Sequence, residues 1–288
     1  MNIALLPNLT REKARDVTVE ICSWLKKYGA DYATIKENTE AFSSIENMSF
    51  MTFDELLRWC HVVISVGGDG STLRAAKTTV EYDKPILCIN AGRLAFMAGL
   101  ESDELELLKN LIDGSYTIDP RMLLDVSVKR GGKEIYSARC INDVVLARGD
   151  TLKITDLCVN CDGKLINTYR ADGIIVATPT GSSAYSLSAG GPVINPSIEA
   201  LLVTPICPQS LFARSIVFSD RNRIDIYCSE STTNTDLFLS CDGEESKNVI
   251  KGDVISVRKS DKYAKFIRIK NDEFFEILNN KLAGNEGK

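Results

Sequence analysis

Hydrophobic and polar positions follow one rhythm in the first third of the chain. Short apolar runs alternate with longer stretches in which apolar residues recur every three or four positions, the spacing of one helix face. The runs predict strands over residues 2–6, 32–35, 62–66 and 85–89. The stretches between them predict a helix capped by Thr10 and ending at Gly29, a short helix opened by a capping box of Thr52 and Glu55, a helix from Ser71 and one over 102–111. Such alternation is typical of an α/β domain with a parallel sheet.

From about Arg121 apolar residues alternate with polar ones at every second position, which indicates half-exposed strands. Two pairs of such runs flank Gly131-Gly132 and Asp162-Gly163, dipeptides that favour two-residue hairpin turns. Further strands are predicted over 215–218, 223–227, 237–241, 253–257 and 266–269, and a final helix over 274–282. We therefore predict two domains: a Rossmann-like α/β domain of residues 1–120 completed by 256–288, and a β-rich domain of residues 121–255.

The charge balance argues against one class of function. The 288 residues include 34 Lys plus Arg against 39 Asp plus Glu, a formal net charge of -5. A protein that holds nucleic acid chiefly by neutralising phosphates needs a basic surface, so we expect no nucleic-acid partner. No apolar run reaches the roughly 18 residues of a membrane span, and the first residues lack the basic head and apolar stretch of a signal peptide. We expect a cytoplasmic protein with no membrane partner.

The nine cysteines show no framework spacing, and most lie in alternating apolar runs where a reduced Cys acts as a small hydrophobe. Cys158 and Cys161 form a CxxC pair. A zinc site would need two more ligands at a similar spacing, and the single histidine, His61, is distant in sequence. We predict no metal bound at this pair.

A glycine-rich segment follows the predicted strand 62–66. Gly67, Gly68 and Gly70 allow a sharp turn that presents backbone N–H groups to an anion, and the following helix adds its positive end. Such a turn is typical of a phosphate cradle, although it lacks the lysine of a P-loop and the spacing of a dinucleotide-binding turn. Asp69 lies where a phosphate would be repelled, so it is a candidate proton acceptor or a contact to Mg²⁺. An ordinary tight turn is the alternative.

A second segment rich in hydroxyls and glycines extends from residue 170 to 192. A buried strand leads into a turn that carries four hydroxyl side chains, Thr178, Thr180, Ser182 and Ser183. Such a surface can hydrogen-bond to ribose, phosphate and base edges, although the same residues also form ordinary loops. Asn142 and Asp143 stand at the start of another predicted strand, a place that is also typical of a turn cap. Serine catalysis is disfavoured because the chain has no Gly-x-Ser-x-Gly elbow.

Taken together, these segments resemble the NAD kinases. The motifs that carry the resemblance are Gly67-Gly68-Asp69-Gly70, Asn142-Asp143, residues 172–185 with Gly190-Gly191-Pro192, and Cys241-Asp242-Gly243. They occur in the family's order and cover nearly the whole chain. The resemblance implies an α/β nucleotide domain followed by a β-sandwich-like domain that binds NAD. It also implies transfer of a phosphoryl group from ATP, with Mg²⁺ or another divalent cation, to the 2′-hydroxyl of the adenosine ribose of NAD.

The same resemblance implies roles for individual residues. Asp69 is the general base. Nucleotide contacts are implied for Gly67, Gly68, Gly70 and Phe96, ribose contacts for Asn142 and Asp143, and contacts to the adenine and nicotinamide regions of NAD for Thr180, Ser183, Ala184 and Tyr185. Asp172 is implied at the nicotinamide end, and Arg170 and Asp242 at the pocket edge near a neighbouring subunit of a homodimer or homotetramer. No side chain is assigned as a metal ligand.

Two positions depart from the family pattern, because Asp143 replaces the usual Glu and Ala95 replaces the usual Gly. Two other functions stay open. A lipid or sphingoid kinase of the same superfamily would need an apolar acceptor groove, whereas the segment Thr180 to Tyr185 is polar. A non-catalytic module that senses NAD(H) would have no need of an acid at Asp69. The sequence leaves open the choice between ATP and polyphosphate, the acceptance of NADH, feedback by NADPH and the number of subunits.

Overall fold

The computed structural model describes residues 1–92, 97–149, 153–210, 212–230, 232, 236–244, 246–270, 274 and 278–279. The chain forms two compact units, one of residues 1–120 with 264–288 and one of residues 121–263. It leaves the first unit within the strand Thr117–Arg130 and returns within the strand Asp253–Arg268. The sequence pattern placed this return at 255/256.

The first unit contains a parallel sheet with helices. Its strands are β1 Asn2–Pro7, β2 Asp31–Ile35, β3 Ser49–Met51, β4 Val62–Gly67, β5 Ile86–Asn90 and the short β6 Leu100–Glu101. Its helices are α1 Ala14–Lys27, α2 Thr39–Phe42, α3 Phe53–Trp59, α4 Asp69–Glu81 and α5 Leu108–Ile112. The strand order β3-β2-β1-β4-β5 is parallel throughout. The four predicted strands and the α/β class are confirmed.

Helix α1 packs its apolar stripe onto this sheet, with Ile21 and Leu25 buried against Ile3 and Leu5. The Thr52 and Glu55 capping box of α3 is confirmed. The Thr10 cap is wrong, because α1 begins at Ala14 and the Thr10 hydroxyl donates instead to Asn8 Oδ1 at 2.7 Å. The predicted helix over 102–111 is wrong over its first residues. There the Glu104 carboxylate accepts the Glu101 N–H and the chain forms a tight turn before α5.

The second unit is built from strands. They are β7 Thr117–Arg130, β8 Lys133–Cys140, β9 Asp143–Arg148, β10 Thr155–Cys161, β11 Lys164–Ala171, β12 Gly173–Ala177, β13 Ala200–Ile206, β14 Ile216–Ser219, β15 Ile224–Cys228, β16 Leu237–Cys241, β17 Lys247–Val249 and β18 Asp253–Arg268. One antiparallel sheet has the order β14-β13-β12-β9-β16-β17, and a second contains β11-β10-β15-β18 with β7 and β8. Side chains of both sheets share one core, so the β-sandwich-like prediction is confirmed.

Both predicted hairpins are confirmed, and all four turn residues have the positive φ that two-residue turns require. The separate strands over 253–257 and 266–269 are wrong, because β18 continues through 16 residues. The strand also pairs with β7 and β15, and Lys259 in its polar middle forms ion pairs with Glu199 and Asp220. The pattern missed β13, which contains Pro205. That residue lies beyond the part of β13 that pairs with β14, so no hydrogen bond to β14 is lost there.

The predicted final helix over 274–282 falls almost wholly outside the described residues. Among the helices that the structure does describe, none combines the length and the apolar character needed to cross a bilayer.

Candidate active site

The glycine segment lies at the carboxyl end of β4 in the first unit. Strands β2 and β3 follow β1 to one side of the sheet, whereas β4 and β5 lie on its other side, so the strand order reverses between β1 and β4. Ligands of open α/β sheets bind at such a switch point, outside the carboxyl ends of the strands. Helix α4 begins at Asp69, two residues earlier than predicted, so Asp69 and Gly70 belong to its first turn.

The glycines serve close approach rather than a left-handed turn, since none of Gly67, Gly68 and Gly70 has a positive φ. A Cβ on Gly67 would lie 2.7 Å from Ser71 Oγ and 2.9 Å from Ser71 Cβ, so the first turn of α4 leaves no room for a side chain there. A Cβ on Gly68 or Gly70 would meet nothing within 4 Å. These two positions therefore face open space, as a surface approached by a ligand must.

The Asp69 carboxylate is tied to the loop after β5. Its Oδ1 accepts the backbone N–H of Met97 at 3.0 Å. The first turn of a 13-residue helix also places it among N–H groups that carry partial positive charge. Phe96, which the sequence placed at the nucleotide, lies outside the described residues.

Two asparagines that the sequence analysis missed link the strand ends in the first unit. Asn8 follows β1, and its Nδ2 donates to Ser71 Oγ at 2.7 Å. Asn90 ends β5, donates to Glu101 Oε2 at 2.8 Å and accepts the N–H of Gly92 at 3.1 Å. The available signal was their position at or just after the carboxyl ends of two strands of the parallel sheet, β1 and β5, which lie on either side of β4.

The second unit brings the Asn142-Asp143 pair against the hydroxyl turn. Strands β9 and β12 are antiparallel with Asp143 opposite Ala177, so the start of β9 meets the end of β12. The Thr178 N–H donates to the Asn142 carbonyl at 2.9 Å, and the Thr178 hydroxyl donates to the Ile141 carbonyl at 2.6 Å. A Cβ on Gly181 would lie 2.1 Å from the Asn142 carbonyl oxygen, so only glycine allows this contact.

The four predicted hydroxyls divide into two pairs. Thr178 and Ser182 are fully buried braces, with the Ser182 hydroxyl donating to the Pro179 carbonyl at 2.6 Å, so their expected place on a ligand-binding surface is wrong. Thr180 accepts a hydrogen bond from the buried Arg121 at 3.3 Å, and Ser183 donates to the Thr180 carbonyl. Arg121 carried no signal in the sequence.

Helix α6, Tyr185–Ser188, begins directly after this turn. It has four residues, and its first residue, Tyr185, is 46% exposed. Ala184 precedes it and is half-buried. The aromatic ring of Tyr185 is therefore available at the surface beside the hydroxyl turn.

Asp143 is almost entirely buried, with 5% of its surface exposed. Burial raises the pKa of its carboxyl to about 7, and the neighbouring charge of Asp242 adds to the increase. A carboxyl group held in this way changes its charge near neutral pH.

Asp242 holds the backbone that precedes β9. Its Oδ2 accepts the N–H of Ile141 at 2.9 Å, and its Oδ1 accepts those of Asn142 at 2.8 Å and Asp143 at 3.2 Å. The sequence analysis placed Asp242 at a pocket edge, and nothing in its spacing indicated these contacts.

Asp172 and Arg170 have different surroundings. Asp172 pairs with Arg148, whose Nε lies 2.6 Å from the Asp172 Oδ1, because the register of β9 and β12 brings the two residues together. Arg148 was missed by the sequence analysis. Arg170 is exposed on β11.

All nine cysteines lie within the described residues, and none of them forms a disulfide. Cys158 is buried with its sulfur 3.5 Å from Thr168 Oγ1, and Cys161 Sγ lies 3.8 Å from Asp162 Oδ2. Within the described ranges, no three His, Cys, Asp or Glu side chains are arranged to hold a metal ion.

Comparison with known proteins identifies both halves of the chain. The ATP-NAD kinase N-terminal domain matches residues 3–116, and the ATP-NAD kinase C-terminal domain matches residues 141–269. The NAD kinase of Caldanaerobacter subterraneus subsp. tengcongensis is 35% identical over 282 residues, covering 98% of each chain. That of Prosthecochloris aestuarii is 38% identical over 283 residues, covering 98% of this chain and 96% of the relative.

Solved structures agree with these matches. A yeast NADH kinase in complex with NADH superposes with a TM-score of 0.89 at 25% identity, covering 100% of this chain and 89% of the other. An NAD kinase from Archaeoglobus fulgidus in complex with ATP has a TM-score of 0.74 at 24% identity, covering 98% and 99%, and shows the same fold. The motifs, the fold and the two matched domains thus agree, and this chain belongs to the ATP-NAD kinase family.

Proposed function

We propose that Asp69 is the general base in the phosphorylation of NAD by ATP, the reaction of this family. The observation that carries the proposal is the position of its carboxylate, in the first turn of α4 at the switch point of the parallel sheet. Transfer to the 2′-hydroxyl of the adenosine ribose requires that a group accept the hydroxyl proton. The Asp69 carboxylate, in a loop that otherwise suits anions, is the group that would accept this proton.

The amino-terminal end of α4 is the proposed phosphate site. Backbone N–H groups there are not used inside the helix, and the helix dipole favours negative charge. Gly68 and Gly70 leave open space through which phosphates can approach this backbone. Nucleotide contact by Phe96 stays a prediction.

The donor set fits a Mg²⁺ ion that is bound mainly by ATP. Magnesium in such sites is held by substrate phosphates and water with one or two carboxylates, and the described residues form no all-protein cage of His, Cys, Asp or Glu. Asp69 is the acidic residue of the loop that would lie beside the ion. When bound, the ion supplies neutralisation of the charge on the transferring phosphoryl group.

The proposed NAD site lies at the junction of β9 and β12. Asn142 and Asp143 would bind the hydroxyls of the ribose, because a carboxylate can accept from two hydroxyl groups and an amide can both donate and accept. Around the adenine and nicotinamide regions we place Thr180, Ser183, Ala184 and Tyr185. Asp172, held by Arg148, would lie at the nicotinamide end.

The family assignment removes the lipid kinase as an alternative. The decisive experiment incubates the purified chain with Mg²⁺, ATP and NAD and measures NADP with an NADP-specific dehydrogenase. We expect NADP formation that depends on both substrates. Absence of NADP with ATP and with polyphosphate, across several divalent cations, would favour the sensing module instead.

We also propose that the chain is a cytoplasmic homo-oligomer, a homodimer or homotetramer, with Arg170 near a subunit contact. In support, β11 ends the strand order of its sheet in the described part of the chain, and Leu165 on the same strand is 59% exposed. Exposed apolar side chains on an edge strand favour pairing with another chain. Sedimentation at micromolar concentration is expected to show more than a monomer, and a fully active monomer would contradict this.

A further inference from the structure

Asp242 occupies the turn that follows β16, in a left-handed conformation with a φ of 53°. Its carboxylate accepts three consecutive backbone N–H groups, those of Ile141, Asn142 and Asp143, at 2.8 to 3.2 Å. In return, the Asp242 N–H donates to the Asp143 carbonyl at 2.9 Å. Residues about 100 positions apart in sequence are thereby joined by four hydrogen bonds.

These hydrogen bonds fix the peptide planes from which two side chains leave. Because three amides share one carboxylate, residues 141–143 cannot rotate without breaking charge-assisted bonds. The Asn142 carbonyl is held in the same geometry and accepts the Thr178 N–H, so the turn that contains Thr180 is also positioned by it. Fixed peptide planes limit the directions open to the Asn142 and Asp143 side chains.

We propose that Asp242 is a positioning residue for the acceptor ribose, which orients Asn142 and Asp143 through their backbone amides without touching NAD. This proposal rests on the proposed function, in which the same two side chains bind the ribose. It replaces the expectation that Asp242 contributes to the pocket edge. The charge of Asp242 also contributes to the raised pKa of Asp143. Asp242 therefore affects the protonation of the ribose-binding carboxyl as well as the direction of its side chain.

A purely structural role would be the ordinary one for an Asp-Gly turn, and the chain contains a matched example. Asp162 precedes Gly163 with a φ of 49°, and its carboxylate accepts the backbone N–H of Arg223 at 2.9 Å and the side-chain amide of Asn222 at 2.6 Å. Its described hydrogen bonds do not reach residues 141–143. Asp162→Ala therefore removes the same kind of turn contact away from the proposed ribose site.

The experiment compares Asp242→Ala, Asp242→Asn and Asp162→Ala with the wild type. We expect Asp242→Ala to raise the KM for NAD about tenfold or more, with little change in the KM for ATP, since charged hydrogen bonds that orient the ribose site are lost. Asp242→Asn retains one acceptor oxygen, so its KM for NAD should lie between those of the wild type and Asp242→Ala. Asp162→Ala should lower the melting temperature while leaving both KM values unchanged.

Hydrogen exchange of the ligand-free protein supplies a readout that does not depend on activity. The amides of residues 141–143 should exchange faster in Asp242→Ala than in the wild type and stay protected in Asp162→Ala. An active wild type with an unchanged KM for NAD in Asp242→Ala would overturn the positioning role alone. If Asp242→Ala does not fold, an unchanged KM in Asp242→Asn has the same meaning. A wild type that neither binds nor phosphorylates NAD would overturn the proposed function, and this proposal with it.

Discussion

Asp143 and Asp242 exchange two hydrogen bonds, one from the Asp143 N–H to the side-chain Oδ1 of Asp242 at 3.2 Å and one from the Asp242 N–H to the Asp143 carbonyl at 2.9 Å. Two acidic residues are thus held side by side at the start of β9, one of them almost entirely buried. Burial and the Asp242 charge both favour the protonated form of Asp143. Ionisation of Asp143 at the proposed ribose site therefore lowers the free energy of unfolding, to an extent that depends on pH.

The ligand-free protein should lose stability as pH rises through the range of Asp143. Its folded pKa of about 7 exceeds the ordinary 3.8, so the folded state binds the proton more tightly, and the stabilisation from that proton is lost between these values. From pH 5 to pH 8 this carboxyl should lower the free energy of unfolding by about 2 to 3 kcal/mol. Asp143→Asn should lack this decline. Urea unfolding of both proteins at several pH values measures it, and parallel curves would contradict the prediction.

Replacement of Asp143 should weaken binding of NAD rather than slow the chemistry. A contact made equally to substrate and transition state affects KM alone. Asp143→Ala should therefore raise the KM for NAD, with a loss of binding free energy of about 1.5 to 3 kcal/mol, and leave the KM for ATP little changed. The KM of the wild type should fall as pH rises through about 7, because ionisation creates the acceptor. Asp143→Glu, the family's usual residue, should keep NAD binding. Unchanged NAD kinetics with a lowered melting temperature in Asp143→Ala would identify a turn cap instead.

Asp69→Asn should lower kcat by about 10² to 10⁴ while the fold and the binding of NAD are kept. The amide oxygen of Asn can still accept the Met97 N–H that Asp69 accepts, so the local structure should survive. Asp16→Asn, a change at another first-turn acid of a helix, serves as the control and should be fully active. Normal turnover in Asp69→Asn would reduce Asp69 to a structural residue of the helix start.

Alanine substitutions at the neighbouring Gly67 and Gly68 should affect different properties of the protein. Gly67→Ala places a methyl group 2.7 Å from Ser71 Oγ, so we expect a loss of stability of about 1 to 3 kcal/mol. Gly68→Ala meets open space at a φ that alanine accepts, so the fold should be kept while the KM for ATP rises. Chemical unfolding and ATP kinetics on both variants separate the two effects. Equal KM values for ATP in Gly68→Ala and the wild type would argue against phosphate binding at this backbone.

Local patterns predicted much of the fold because its signals are short in sequence. The buried strand before Gly67, the hairpin turns at Gly131 and Asp162 and the capping box at Thr52 each depend on residues within a few positions of one another. Predictions were less accurate where distant contacts decide the outcome. Strand β18 pairs with strands from distant parts of the chain, and Lys259 in its polar middle pairs with Glu199 and Asp220, contacts that no local pattern reveals.

The candidate site shows the same division. The motifs around Asp69 and Asn142 could be found from sequence, whereas the contacts that hold them could not. Asp242 reaches residue 142 across 100 positions, and Arg121 reaches Thr180 across 59. Such pairs are set by strand register in the folded chain, so they become visible only with the structure.

The last residues of β18 determine when folding of the first unit can be completed during synthesis. Phe266 pairs with Ile86, Ile267 is buried in the core of that unit, and Arg268 binds Asp119 and the Ala98 carbonyl. Residues 1–120 leave the ribosome first, yet their sheet lacks this edge until residues 264–268 have followed. The contiguous second unit can complete its sheets earlier. The portion of the chain that is made first is therefore completed last, and Ile86 of β5 lacks its pairing partner Phe266 until residues 264–268 have left the ribosome.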